Sequence, residues 1–172
     1  MSFASLTNNR LFHITFLAYT ALMVFLGRHG SMGISNYDEA FYAQKAKELL
    51  LTGSMWTVNY HGQATFENPP LPLWTMALAF KFFGVTEYAV ALPSALLGAA
   101  SVILTYRFAE ILFNDRWTAF LSGIILVLPG FFVDYARRGM VDTHLVFFVA
   151  SALYCFACAG RDPRWYLLFG LF

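Results

Sequence analysis

The residues able to do chemistry fall in three short clusters. Tyr37-Asp38-Glu39-Ala40-Phe41-Tyr42 sets two adjacent carboxylates at the start of one helical stretch, and Phe66-Glu67-Asn68-Pro69-Pro70-Leu71 sets an acid and an amide before another. Ala136-Arg137-Arg138-Gly139-Met140-Val141-Asp142-Thr143-His144 brings two guanidiniums, a carboxylate and an imidazole to the mouth of a third. A carboxylate can take a proton from an attacking hydroxyl or hold a divalent cation, so Asp38 and Asp142 are candidates for either role. Paired guanidiniums suit a phosphate, which they bind in bidentate fashion.

Each cluster also has a purely structural reading. Asn36 followed by Glu39 is a capping-box spacing, and acids in a first helical turn suit the helix dipole. Asp142 reads equally as the cap of a helix over Thr143–Ala159. Arg137 and Arg138 can reach lipid headgroups with their long stems. His144 reads as a satisfied residue just inside its helix. Against the structural reading, Glu39 falls on the same helical arc as apolar Ala46 and Leu50, and a solvating acid would point the other way.

The elements that must position these groups are membrane helices. The chain is 59% hydrophobic and 12% charged, with a mean hydropathy of +0.58. A soluble domain carries roughly 25% charged residues, so the fold class is an all-α polytopic membrane protein. A net charge of +1 says nothing about nucleic acid, and with no basic tract to suggest it, no nucleic-acid partner is expected. No glycine-rich nucleotide cradle, nucleophile elbow or His-Glu-x-x-His is present. Cys155 and Cys158 read as small helix-filling hydrophobes.

Apolar length predicts spans over 11–27, 88–112, 117–133 and 141–159, with another begun at 165–172 and cut short. Arg10 precedes the first, and no cleavage site follows it, so it reads as a retained anchor. Two further helices, 37–52 and 70–83, read as interfacial. The first is amphipathic, with Tyr42, Ala43, Ala46, Leu49 and Leu50 on one arc and Gln44, Lys45, Lys47 and Glu48 on the other. With these two kept out of the bilayer, Arg10, Arg107, Arg116, Arg161 and Arg164 fall inside, as the positive-inside rule requires. Asp38, Asn68 and Asp142 then share one outer face. Arg137 and Arg138 are the exception that needs another explanation.

In order and spacing, Tyr37-Asp38-Glu39-Ala40-Phe41-Tyr42-Ala43, Gly53-x-Met55-Trp56, Phe66-Glu67-Asn68-Pro69-Pro70-Leu71-Pro72-Leu73-Trp74 and Arg138-Gly139-Met140-Val141-Asp142 resemble the N-terminal portion of polyprenyl-phosphate-dependent glycosyltransferases. These are enzymes of the protein O-mannosyltransferase and aminoarabinose transferase type, glycosyltransferase family 39. The resemblance implies a glycosyltransferase C-type helix bundle with juxtamembrane helices in its first outer loop. Residues 1–172 would be the N-terminal part of one such module, truncated.

The same resemblance implies transfer of a sugar from a polyprenyl-phosphate donor to a protein or lipid acceptor. The enzyme would be a multi-pass protein of a bacterial inner membrane, with its site facing the periplasm. Asp38 would be the base or acceptor-positioning carboxylate, Glu39 its support and Asp142 the completing acid; Tyr42, Glu67 and His144 would line the pocket. Asn68 stands where some relatives carry Lys or His beside the lipid phosphate, which shifts the search for a phosphate-binding cation to Arg137 and Arg138. Phe41 replaces a basic residue of the aminoarabinose enzyme, which favours another sugar. A divalent cation between Asp38 and Asp142 stays open. Two rival readings also stay open: a transporter or channel fragment with an acid-lined ion path, and a non-catalytic assembly subunit.

Overall fold

The first helix, α1 (Arg10–Leu26), starts where the Asn9 side chain accepts the Leu11 N–H at 2.9 Å. Its buried residues His13, Leu17, Ala21 and Phe25 recur every fourth position, one stripe of a helix. The computed structural model describes residues 9–27, 34 and 37–172, and Asn36, read above as a cap, lies outside them.

Next come α2 (Tyr37–Thr52), a two-stranded hairpin of β1 (Asn59–Tyr60) and β2 (Gln63–Ala64), and α3 (Pro70–Phe83). The hairpin turn places His61 at φ 52° and Gly62 at φ 76°, the left-handed pair that a tight two-residue hairpin demands. Pro69 and Pro70 open α3, where missing N–H groups do no harm. The long α4 (Glu87–Phe113) begins at Thr86, whose side chain accepts the Ala89 N–H. It is followed by α5 (Arg116–Val127), α6 (Gly130–Arg137), α7 (Asp142–Ala159) and α8 (Trp165–Phe169).

Helix α4 is the axis of the fold and packs against α1, α3, α5, α6 and α7. Its small residues allow close approach: a methyl on Gly98 would lie 2.9 Å from the Ala136 Cβ. Two apolar clusters result. One joins Leu17, Phe25, Val102, Tyr106 and Ala136 along α1, α4, α5 and α6. The other joins Ala46, Leu49, Leu73, Met76, Phe80 and Val90, packing α2 and α3 on the first turns of α4.

By length and composition α4 and α7 can each cross a membrane, and α5 with α6 make a third crossing if the bent pair counts as one; α1 is a shorter apolar helix. The stretch 117–133, read as one span, is carried by α5 and α6 with a bend of 67° between them. Pro129 is the cause. It has no N–H to donate, and its ring clashes with the preceding turn. The chain therefore turns across the end of the bundle before reaching Arg137. Helices run over 37–52 and 70–83 at the bounds read from periodicity.

Candidate functional site

The site is built at the end of the bundle where α1 finishes, α2 and α3 start, and α6 meets α7. Its centrepiece is the bend Arg138-Gly139-Met140-Val141, fastened from several sides. Glu39 on α2 is fully buried, and its Oε1 accepts the Gly139 N–H at 3.3 Å. Ser94 on α4 donates its hydroxyl to the Met140 carbonyl at 3.0 Å. Thr75 Oγ1 on α3 lies 2.9 Å from His144 Nε2 on α7. Gly139 must be glycine, because a Cβ there would stand 2.3 Å from Val90 Cγ1 and 3.0 Å from the Val90 carbonyl oxygen.

This fastening decides where the carboxylates go. Asp142 is exposed and occupies the first helical turn of α7, while the cap position falls to Val141. The capping reading of Asp142 is thus corrected: the carboxylate makes no hydrogen bond among the described residues and is not spent on its helix. Asp38 is also exposed, one residue before buried Glu39. Tyr42 on α2 is near both. Burial, then the charges of Asp38 and Asp142, push its phenol above the ordinary value, with a further contribution from Tyr135. One hydroxyl thus feels two carboxylates that lie about a hundred residues apart in the chain.

Glu39 has a different position from Asp38. Its burial and its bond to Gly139 make it the clamp between α2 and the Asp142 segment.

The second half of the site centres on a residue that sequence reasoning put on the wrong face. Lys45, assigned to the polar arc of α2, is fully buried. Its Nζ donates to Asn68 Oδ1 at 2.8 Å and pairs with Glu67 Oε2 at 3.3 Å, and it lies 3.8 Å from the centre of the Phe41 ring. Burial of an ammonium requires such partners. They arrive because the loop after α2 folds back over that face. Glu48 holds the loop there: its two carboxylate oxygens accept the N–H groups of His61 and Gly62 at 2.9 and 3.2 Å. Burial raises the Glu48 pKa, but the hydrogen bonds from Gln44, Gly62 and His61 outweigh it and hold the group below its ordinary value.

Fixing Asn68 through its oxygen turns its Nδ2 away from Lys45, and that nitrogen makes no hydrogen bond among the described residues. A signal for Lys45 existed in the sequence: a lysine nearly two turns past the Asp-Glu pair, with Glu67-Asn68 downstream and no cation at position 68.

The two arginines proposed as phosphate ligands are placed at this end but are engaged. Arg137 Nη2 donates to the Gly27 carbonyl at 2.7 Å, joining α6 to the end of α1. Arg138 Nε donates to Asp134 Oδ1 at 2.8 Å. His144 is buried, with the Met140 backbone against its ring. Among those residues no group of three or more His, Cys, Asp or Glu side chains is arranged to hold a metal ion. Beside the site, an apolar groove of about 320 Å³ runs between α3 and α4, lined by Thr75, Leu78, Phe82, Leu92, Pro93 and Leu96 among others.

Comparison with known proteins gives three kinds of likeness. Residues 67–172 match the family model described as dolichyl-phosphate-mannose-protein mannosyltransferase. The chain is 36% identical over 117 residues to a protein of Aquifex aeolicus (strain VF5), covering 68% of this chain and 23% of that one. It is 29% identical over 135 residues to the undecaprenyl phosphate-alpha-4-amino-4-deoxy-L-arabinose arabinosyl transferase of Pseudomonas savastanoi pv. phaseolicola, covering 78% of this chain and 25% of that enzyme. The enzyme of the same name from Pseudomonas aeruginosa is 26% identical over 162 residues, 87% of this chain and 30% of its own length. Among solved structures, ArnT from Cupriavidus metallidurans bound to undecaprenyl phosphate superposes with a TM-score of 0.72 at 22% identity, over 87% of this chain and 27% of that one. The chain spans between a fifth and a third of the length of the curated relatives it matches.

Proposed function

This chain belongs to the dolichyl-phosphate-mannose-protein mannosyltransferase family, and on that premise we propose that it carries the outer-face site of a membrane glycosyltransferase. The donor is a sugar linked to polyprenyl phosphate; the acceptor is a hydroxyl or amine of a protein or lipid. The observation that supports this reading is the Glu39–Gly139 contact, which brings the exposed Asp38 and the exposed Asp142 to the same end of the bundle, both near enough to act on the Tyr42 phenol.

The chemistry asks for two things. An acceptor proton must be removed or oriented, and charge on the departing phosphate must be stabilised. In the proposed mechanism Asp38 is the base, and Asp142 orients the acceptor from the opposite side. The pair can instead hold a divalent cation between them, with the outer loops supplying no third acid among the described residues. Tyr42, Glu67 and His144 shape the pocket around these groups.

The phosphate is met by hydrogen-bond donors on the same face. Asn68 offers an uncommitted amide nitrogen, backed by the Lys45 ammonium. Arg138 and Arg137 lie on the segment leading to Asp142 and would join it once the donor arrives. The apolar groove between α3 and α4 suits an isoprenoid chain, since its lining is almost wholly hydrocarbon. Helices α2 and α3 lie along the membrane surface in this reading, and the site faces the periplasm of a bacterial inner membrane.

The test is sugar transfer by membranes carrying the native protein, supplied with polyprenyl-phosphate-linked sugars of several kinds. Asp38→Asn lowers turnover by about 10²- to 10⁴-fold, the ordinary worth of a general base, while protein level and membrane insertion stay unchanged. Turnover within a few-fold of the parent reduces Asp38 to a helix-start acid and overturns the mechanism.

A further inference from the structure

The opposite end of the bundle carries a charged cluster that the proposed transfer does not use. Helix α1, with 17 residues, separates the two ends by about 25 Å. At its start, Arg10 Nη2 meets Glu110 Oε2 at 2.9 Å. Arg107 Nε lies 3.9 Å from the same oxygen, and Arg116 Nε lies 3.7 Å from Glu110 Oε1. Three guanidiniums from three helices therefore converge on one carboxylate. The neighbouring acid, Asp115, accepts the Thr118 N–H at 2.7 Å as the cap of α5. With both acids counted, the cluster keeps a positive excess.

Beneath it lies Tyr106, fully buried, whose hydroxyl has no hydrogen-bond partner among the described residues. Its oxygen feels Glu110, Arg10, Arg116 and Arg107. A buried polar atom without a partner is rare and calls for a ligand or a water. Around the cluster, Leu11, Phe12, Phe16, Leu112, Phe113 and Trp117 present exposed apolar side chains. The surroundings are thus hydrocarbon below and cationic above, the profile of a lipid headgroup region with an indole at its level.

We propose that Arg10, Arg107, Arg116 and Tyr106 form a binding site for the phosphate headgroup of an anionic phospholipid. A phosphodiester accepts N–H groups of Arg10 and Arg107 beyond those that meet Glu110, with Arg116 adding charge beside them, and Arg offers the planar fork that phosphate requires. The Tyr106 hydroxyl donates from below, and the acyl chains lie along Phe12, Phe16 and Trp117. Glu110 competes with the lipid for the same cations, so it sets how tightly the lipid is held.

The competition supplies the test. Native mass spectrometry of the chain in detergent, with short-chain phosphatidylglycerol and phosphatidylcholine as probes, reads retained lipid directly. Phosphatidylglycerol is expected to be retained preferentially, and Arg10→Gln with Arg107→Gln reduces its retention by about tenfold or more, as loss of charge-assisted hydrogen bonds implies. Glu110→Gln acts in the opposite sense and raises retention, even where it lowers thermal stability by cutting three ion pairs. A cluster that only ties helix ends together gives the other pattern: equal retention of the two lipids, or parental retention by the double arginine variant, or a loss on Glu110→Gln. Any of these overturns the site. Millimolar inorganic phosphate is added as a third probe; complete displacement of the lipid by it would assign the cluster to a free anion and overturn the lipid assignment.

Discussion

Glu39 Oε1 and the Gly139 N–H, one hundred residues apart in sequence, are joined at 3.3 Å in a fully buried setting. Each lies close in sequence to a more exposed functional group: Asp38 immediately precedes Glu39, and Asp142 follows Gly139 by three residues. The contact therefore fixes the relation between two carboxylates that lie 104 residues apart in sequence.

Removing that acid has a definite cost. Glu39→Ala should destabilise the protein by about 1–3 kcal/mol, because the buried Gly139 N–H loses its acceptor. Thermal unfolding in detergent reads this directly. Glu39→Gln keeps an acceptor in place and should recover much of the loss. An alanine variant as stable as the parent would show that the clamp is not needed.

Gly139→Ala should cost about 1–3 kcal/mol by overpacking, since the new methyl meets Val90 Cγ1 at 2.3 Å and Met76 Cε at 3.1 Å. Val90→Ala makes room for it. The double variant should therefore be more stable than the sum of the two single losses, which a double-mutant cycle checks. Strict additivity would mean that the strain is relieved elsewhere.

Donor binding separates the candidate phosphate groups. Lys45→Met, Asn68→Leu and Arg138→Gln should each weaken polyprenyl-phosphate binding by about ten- to a hundredfold, as loss of a charge-assisted hydrogen bond implies. Arg137→Gln should weaken it less, because Arg137 is tied to a backbone carbonyl at the end of α1, whereas the partner of Arg138 is the half-exposed side chain of Asp134, which can release it. Isothermal titration of the native protein in detergent decides the ranking. Parental affinity in all four would move the phosphate away from this face.

The hairpin should loosen in acid. The Glu48 carboxyl sits below its ordinary value in the folded chain, so its contribution is present at neutral pH, above the unfolded value. It is lost as pH falls through the lower folded value. Hydrogen exchange at the His61 and Gly62 amides, corrected for its intrinsic pH dependence, should therefore rise steeply in that acid range. Glu48→Gln should already show the faster exchange at neutral pH. Exchange at these amides independent of both changes would detach Glu48 from the hairpin.

What the sequence reveals here is mostly local. Pro69-Pro70 and Gly84 bracket α3, and Gly53 follows α2, because starts and stops of helices depend on neighbouring residues. The bend between α5 and α6 was also written locally, in Pro129, but an unbroken apolar run masked it. Lys45 could not be placed by periodicity. Its burial depends on Glu67 and Asn68, which arrive from 22 and 23 residues downstream. The engagement of Arg137 depends on a carbonyl 110 residues away. The Asp142 cap failed for a related reason: three distant contacts, not the helix start itself, position that turn.

The buried ammonium also dictates an order of events during biogenesis. Until Glu67 and Asn68 reach it, Lys45 lacks its carboxylate and amide partners and must stay hydrated, so α2 cannot be fully enclosed. Only when Glu67 and Asn68 have emerged and Glu48 has captured the hairpin can the charge be enclosed. Seating of α2 and closure of the loop are therefore one cooperative step. A chain with both partners removed, Glu67→Ala with Asn68→Ala, would form α2 but leave it incompletely seated.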